Sequence, residues 1–302
     1  MADLPSWLDI HDDRFVPLVL PNAPLLTLGA GFAWLEGPVW FADADHLLVS
    51  DLPNDRILRW TESSGVSVFR QPSDFANGHA RDRQGRLVGC SHRLRCLTRT
   101  ELDGTMTPLA THFDGQRLNG PNDVVVASDG ALWFTDPLYG GGTDYEGGKH
   151  ATDLAATLYR LAPNGTLTAV TTALAGPNGL CFSPDERLLY LADTGAQFGD
   201  DPARAIHVFD VADGRLSGQR RFHQVRPGHS DGLCCDEDGR VWSAAGDGVH
   251  CIAPDGAHLG TILTGGPVAN LCFGGRNHSR LFICAGQTLM AIYTNVRGAQ
   301  RP

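Results

Sequence analysis

Six oxygen-bearing side chains recur along the 302-residue chain, each at the start of a similar segment. In chain order they are Glu36, Asn77, Asn122, Asn178, Asp231 and Asn270. Each begins a segment with an apolar run, a turn rich in Asp or Gly, and a second apolar run. Carboxylates and amide carbonyls are the ligands that hard divalent cations prefer. If the six side chains lie close together in the fold, the pattern predicts a metal site. The carboxylates of Glu36 and Asp231 would balance the two positive charges of the ion.

The spacing of these residues indicates a radial repeat. Successive starts lie between 39 residues apart (231 to 270) and 56 residues apart (122 to 178), and a propeller blade takes roughly 40–50 residues. Six copies predict an all-β fold, a six-bladed β-propeller with four-stranded blades, as one domain over residues 1–302. Equivalent positions in a propeller surround its axis, so the six side chains are expected at the mouth of the central channel. The alternative is that they are only turn formers.

Two other regions complete the predicted architecture. Only 32 residues follow Asn270, so a strand near residues 15–20 is expected to complete the last blade and protect its edge. Residues 1–14 are expected to form a flexible or peripheral segment. The two widest gaps between repeats contain the stretches 139–154 and 196–205, which are expected to be surface loops.

Composition excludes several classes of function. A formal net charge of −10 argues against a nucleic-acid partner. No apolar run approaches the length of about 18 residues that spans a bilayer, and the N-terminus does not resemble a secretory signal, so no membrane association is expected. Five of the eight cysteines lie in apolar runs, which predicts buried free thiols and a cytoplasmic protein. The oligomeric state is left open.

Five segments around the repeat starts carry a family pattern. They are LEGPVW (35–40), RLNGPNDVVVASDGALWFTDPLYG (117–140), GPNGLCFSPDERLLYLADT (176–194), SDGLCCDEDGRVW (230–242) and ANLCFGG (269–275). They resemble the family of gluconolactonases, regucalcin (senescence marker protein) and luciferin-regenerating enzyme, and the second segment is most similar to the bacterial gluconolactonase branch. The resemblance covers the chain from about residue 30. It implies a six-bladed propeller with one catalytic divalent ion and a small-molecule lactone as the substrate.

The resemblance also implies roles for individual residues. Glu36, Asn178 and Asp231 would bind the ion, and Asn122 would bind it directly or support its ligands while also facing the substrate. Arg117 and Asn119 match positions that contact the hydroxyl groups of the sugar or the lactone in relatives. The family's ions include calcium, zinc, manganese and magnesium, and this ligand set favours Ca²⁺. The sequence departs from many relatives just before Asp231, where Ser230 replaces a proline.

These residues suggest a hydrolytic mechanism. A divalent ion would polarise the lactone carbonyl and stabilise the developing negative charge. Asp231 is the candidate catalytic base for the attacking water; the alternative is that Asp231 only binds the ion. Arg117 would hold a hydroxyl or carboxylate group through its planar fork, unless it is simply a surface arginine. His229 is a candidate substrate contact because it lies close to Asp231 in the sequence.

Other functions remain open at this stage. The same metal site could hydrolyse organophosphate esters, or the propeller could be a calcium-binding scaffold without enzymatic activity. The motif GHSDG (228–232) matches a nucleophile elbow, but an apolar run, a turn and another apolar run follow it where the elbow needs a helix. The remaining histidines considered show no metal-ligand spacing: His79, His92, His112, His150 and His250.

Overall fold

The computed structural model describes residues 5–195 and 204–299, and within them the chain is nearly all β-structure. Six antiparallel sheets surround a central axis, each with four strands in a meander, and one of them carries a fifth strand at its outer edge. The first strand of every sheet contacts the first strands of both neighbouring sheets, which closes a ring of six. This arrangement confirms the predicted six-bladed propeller. None of the helices in the described residues has the length and apolar character needed to cross a bilayer.

The blades are numbered in chain order, and the strands of each are given from the channel outwards. Blade 1 contains Leu35–Phe41, His46–Asp51, Arg56–Thr61 and Gly65–Arg70; blade 2 contains Ala76–Arg81, Leu87–Ser91, Cys96–Thr100 and Met106–Ala110; blade 3 contains Val124–Val126, Leu132–Asp136, Thr157–Leu161 and Leu167–Thr171. A small hairpin, His112–Phe113 with Gln116–Arg117, connects blades 2 and 3.

The second half of the ring follows the same order. Blade 4 contains Pro177–Phe182, Leu188–Asp193, Ala205–Ala212 and Arg215–His223; blade 5 contains Leu233–Cys235, Val241–Ala244, Gly248–Ile252, His258–Leu263 and a fifth, outer strand, Leu8–Ile10; blade 6 contains Asn270–Gly274, Arg280–Ala285, Thr288–Tyr293 and Leu26–Ala30. Four short 3₁₀ helices lie in connections of the described chain: Asp13–Leu18, Leu52–Asn54, Tyr139–Gly141 and Asp144–Glu146.

An N-terminal strand closes the ring, but not at the predicted position. The outer strand of blade 6 is Leu26–Ala30, which pairs antiparallel with Thr288–Tyr293. Residues 15–20, the predicted closing strand, belong mostly to the 3₁₀ helix Asp13–Leu18. Pro17 lies inside this helix and has no amide hydrogen for a sheet ladder, which explains why the apolar run does not form a strand.

The segment that precedes the closing strand packs on the outer side of blade 5. Leu8–Ile10 pairs with the fourth strand of blade 5 at its outer edge, and Phe15 is completely buried against that blade. Residues 1–4 lie outside the described part of the chain, as do residues 196–203, which include most of the predicted loop 196–205.

Aromatic side chains fix the blades relative to one another. Trp133 of blade 3 packs edge-on against Phe182 of blade 4 with ring centroids 5.6 Å apart. Trp242 of blade 5 meets Phe273 of blade 6 in the same way at 5.8 Å. Such pairs contribute about 0.5–1.5 kcal/mol beyond the area they bury. Each joins the second strand of one blade to the first strand of the next, and so sets the positions of the innermost strands.

Candidate metal centre and active site

Glycine allows the starts of the innermost strands to approach one another closely. A glycine directly follows four of the six residues that begin the repeats: Gly37, Gly78, Gly179 and Gly232. A Cβ atom on Gly179 would lie only 2.2 Å from the backbone oxygen of Asp231, in the next blade. The amide of Gly179 donates to that same oxygen at 3.2 Å. The backbone therefore forms a tight circle, and each polar side chain is held beside its neighbour.

These side chains face one cavity of about 190 Å³, at the end of the channel where the innermost strands begin. The predicted residues that line it are Glu36, Asn77, Asn122, Asn178, Asp231 and His229. It is also lined by Trp34, Leu52, Tyr139, Glu146, Thr194 and Arg204. The sixth repeat start, Asn270, reaches the site indirectly, because its Nδ2 donates to Oε2 of Glu36 at 3.5 Å. The structure thus brings all six repeat starts to one end of the channel.

The Glu36 carboxylate is buried and held from several directions. The indole nitrogen of Trp34 donates to Oε1 at 3.4 Å. The amide of Gly37 donates to Oε2 at 3.2 Å, and Asn270 contacts the same oxygen. These long hydrogen bonds orient the carboxylate and leave its oxygens with capacity for a further partner.

Asp231 is fixed by the turn that leads into blade 5. Burial raises the pKa of its carboxyl, and the neighbouring Asn178 side chain lowers it in part. Next to it, the buried hydroxyl of Ser230 lies 2.7 Å from that of Ser243, and the amide of Gly232 donates to the carbonyl of Ala269 at 2.7 Å. The strand Leu233–Cys235 follows, so the motif GHSDG lacks the helix that a nucleophile elbow requires.

The electrostatics of the cavity fit a cation. Burial raises the pKa values of Glu36 and Asp231, and the negative charges of Asp123 and Glu146 raise both further. The pKa of Asp123 is itself raised by burial to about 7. Buried carboxylates that repel one another are stabilised when a divalent ion lies between them. The donors are oxygens from carboxylates and amides, and this set suits a hard ion.

Two of the predicted substrate contacts do not line the cavity. Arg117 lies exposed in the hairpin between blades 2 and 3, and its guanidinium donates to the carbonyl of Leu94 at 2.6 Å. Asn119 is completely buried. Its backbone amide donates to Oδ2 of Asp136 at 2.8 Å, and its Nδ2 donates to the carbonyl oxygen of Asp136 at 3.3 Å. Both residues precede Asn122 in the chain, and the bonds of Asn119 to Asp136 tie this segment to the second strand of blade 3.

The insert at 139–154 was expected to be a surface loop, but part of it covers the cavity. Tyr139 and Glu146 line the site, and the Tyr139 hydroxyl donates to the carbonyl of Gly176 at 2.7 Å. His92 connects the insert to the ring of repeat starts: its Nδ1 lies 3.0 Å from the carbonyl oxygen of Glu146, and its Nε2 accepts from Asn77 at 3.2 Å.

The glycines of the insert explain this close packing. A Cβ atom on Gly140 would lie 2.9 Å from the His92 ring, and one on Gly147 would lie 3.0 Å from the Cβ atom of His92. The density of glycines in 139–148 was the one signal in the sequence that could have predicted the contact. The sequence also failed to predict four further cavity residues: Trp34, Leu52, Thr194 and Arg204. The Nε of Arg204 donates to the carbonyl of Thr194 at 2.6 Å, and nothing in its sequence context marks it.

Comparisons with known proteins agree with this architecture. The family model described as SMP-30/Gluconolactonase/LRE-like region matches residues 34–287. A gluconolactonase from Zymomonas mobilis is 30% identical over 92% of this chain and 83% of the relative. A pentonolactonase from Haloferax volcanii is 28% identical over 82% of this chain and 80% of the relative. A solved gluconolactonase from Xanthomonas campestris is 38% identical, with a TM-score of 0.89 over 95% of this chain and 94% of the other. The region matched by the family model contains all six repeat starts.

Proposed function

Since the chain belongs to the SMP-30/gluconolactonase/LRE-like family, we propose that it is a divalent-metal-dependent lactonase that opens a sugar (aldono-) lactone. Two relatives support the substrate class, because one is named a gluconolactonase and the other a pentonolactonase. The observation that carries the proposal is the cavity at the channel end. It combines the carboxylates of Glu36, Glu146 and Asp231 with amide side chains and an arginine in a space suited to a small molecule.

The ion would be held by Glu36, Asn178 and Asp231, with Asn122 beside them, and the oxygen donors favour Ca²⁺ over Zn²⁺, Mn²⁺ or Mg²⁺. When bound, a divalent ion supplies a positive charge that polarises the lactone carbonyl and stabilises the charge developing on its oxygen. Glu36 is held in place for this role by Trp34 and Gly37.

Asp231 is proposed as the catalytic base. Its carboxylate takes a proton from water while the water oxygen bonds to the carbonyl carbon. The ring C–O bond then breaks, and the same proton passes to the departing ring oxygen, which gives a hydroxy acid. The Asn178 side chain lines the same cavity and favours the charged form of this carboxylate. Arg204 and His229 line the same cavity, and the planar fork of Arg204 suits a sugar hydroxyl or the carboxylate of the product.

Asn119 and Arg117 are proposed to act on the substrate through the loop that carries Asn122. This loop is tied to blade 3, since the amide of Asn122 donates to the carbonyl of Thr135 at 2.8 Å. We also propose a cytoplasmic location. All eight cysteines are free, and seven are buried, as is common for proteins of reducing compartments.

The decisive experiment is a panel of aldonolactones and organophosphate triesters, assayed with and without a chelator. Lactone opening that stops with chelator and returns with Ca²⁺ supports the proposal. Chelator-sensitive hydrolysis of the phosphotriesters alone would replace it with the organophosphate activity. Calcium binding without turnover of any substrate would favour a non-enzymatic scaffold and overturn the proposal.

A further inference from the structure

A second group of potential metal ligands lies far from the channel, where blade 4 meets blade 5. His223 ends the outermost strand of blade 4, Arg215–His223. His250 lies in Gly248–Ile252, and His258 begins His258–Leu263, the third and fourth strands of blade 5. Each ring offers one nitrogen, and these atoms all lie within 4.8 Å of one another.

Hydrogen bonds fix the tautomer of each ring. Nδ1 of His223 is 3.0 Å from the carbonyl oxygen of Gly256, so it carries the hydrogen and leaves a lone pair on Nε2. Nε2 of His258 is 3.2 Å from the carbonyl oxygen of Gly260 and 3.1 Å from Oγ1 of Thr261. The carbonyl can only accept, so Nε2 carries the hydrogen in this contact and the lone pair lies on Nδ1. Nε2 of His250 is 2.9 Å from Oδ1 of Asp247, so its Nδ1 also keeps a lone pair.

The third lone pair lacks a partner. His250 is only 1% exposed, and its Nδ1 has no hydrogen-bond partner among the described residues. A buried polar atom without a partner costs free energy, and native structures normally satisfy such atoms. The rings around it are ordered by stacking: His258 lies 4.2 Å from His250 and 4.3 Å from His11 between ring centroids.

We propose that His223, His250 and His258 bind one transition-metal ion, Zn²⁺ by preference, which ties blade 4 to blade 5. Three neutral imidazoles suit zinc, whose Zn–N distance is about 2.0–2.1 Å. To bind one ion, the half-buried rings of His223 and His258 must turn inward, and the stack of His258 on His250 must open. Asp247 completes the arrangement, because a carboxylate commonly accepts the second ring hydrogen of a ligating histidine. The site differs from the channel centre in its ligands, which are nitrogens rather than oxygens.

Zinc content tests the proposal directly. Chelator-treated protein, saturated with Ca²⁺ to fill the oxygen site, is dialysed against Zn²⁺, and the bound zinc is counted per chain. We expect His223→Gln to hold one equivalent less than the wild type. We expect His112→Gln, a change in the exposed hairpin between blades 2 and 3, to hold as much as the wild type. Asp247→Asn should weaken zinc affinity about 10–100-fold.

Cobalt provides a spectroscopic check. Co²⁺ bound by imidazoles in a site of low coordination number gives a visible absorption band, and this band should disappear in His223→Gln. Calcium-dependent lactone turnover should be unchanged in the same variant, so this proposal and the proposed function can fail separately. Equal zinc content in wild type and a folded His223→Gln, as judged by circular dichroism, overturns the site. Wild-type protein without bound zinc also overturns it.

Discussion

Replacement of Gly179 by alanine tests the idea that glycine sets the geometry of the metal centre. Gly179 directly follows the predicted ligand Asn178, and its amide donates to the backbone oxygen of Asp231. An added Cβ would lie 2.2 Å from that oxygen and 2.6 Å from the Cα atom of Gly232. The strand starts of blades 4 and 5 must therefore separate.

The size of the effect follows from these distances. A separation of about 0.8 Å is needed to bring the contact with the Asp231 oxygen to 3.0 Å. It would stretch the Gly179–Asp231 hydrogen bond, now 3.2 Å long, beyond useful range. The lost bond and the overpacking together should lower the free energy of unfolding by about 1.5–4.5 kcal/mol. A misplacement of about 1 Å in a catalytic group can reduce turnover about 100-fold.

The assay compares Gly179→Ala with Gly266→Ala. No atom lies within 4 Å of a Cβ built on Gly266, and its backbone is not in the left-handed region, so this control should match or slightly exceed the wild type in stability. We expect kcat/KM for lactone opening with Ca²⁺ to fall about 100-fold in Gly179→Ala only, with a lower melting temperature. Wild-type kcat/KM in a Gly179→Ala protein would refute the reasoning, because Asp231 would then tolerate the displacement.

Three further changes test the site and the stability of the fold. Asp231→Asn should retain the circular dichroism spectrum and lose turnover about 100-fold or more; wild-type activity would remove Asp231 from the mechanism. Glu36→Gln should weaken Ca²⁺ binding about tenfold because one ligand charge is lost, and an unchanged calorimetric Kd would contradict its assignment as a ligand. Burial lowers the pKa of His79 from 6.5 to about 4, so the unfolded chain binds an extra proton and stability falls as the pH drops from about 6.5 to about 4. Urea unfolding at pH 7 and pH 5 should show that His79→Gln reduces this loss by about 1–2 kcal/mol; an equal loss in both proteins would disprove the account.

The sequence was sufficient to predict the ring because a radial repeat places equivalent residues together. Glu36 and Asp231 are far apart in the chain, yet both begin an innermost strand. Because the six segments share one pattern, their equivalent residues could be placed together without any knowledge of which residues are in contact. No helical alternative had a comparable period, so the fold class followed directly.

Features outside the repeat could not be predicted in the same way. The closing strand Leu26–Ala30 has few buried side chains, so its apolar pattern is weaker than that of the 3₁₀ segment containing Phe15. Arg204 lines the cavity from the position directly before the third strand of blade 4, Ala205–Ala212, and no repeat marks that position in the sequence. His223, His250 and His258 are separated by 27 and 8 residues in the sequence. Only the packing of blade 4 against blade 5 brings their nitrogens together.

The contrast between the ring and the insert has a consequence for redesign. The strand starts are locked edge to edge by backbone contacts that tolerate no added methyl group. Tyr139 and Glu146, by contrast, reach the cavity from a separate stretch of chain. Grafting residues 139–154 from a relative with another preference should retune selectivity, and a graft that keeps the carboxylate of Glu146 also keeps its charge beside Glu36 and Asp231. Mutagenesis libraries aimed at new lactones therefore belong in this stretch, and the six strand starts should be left unrandomised.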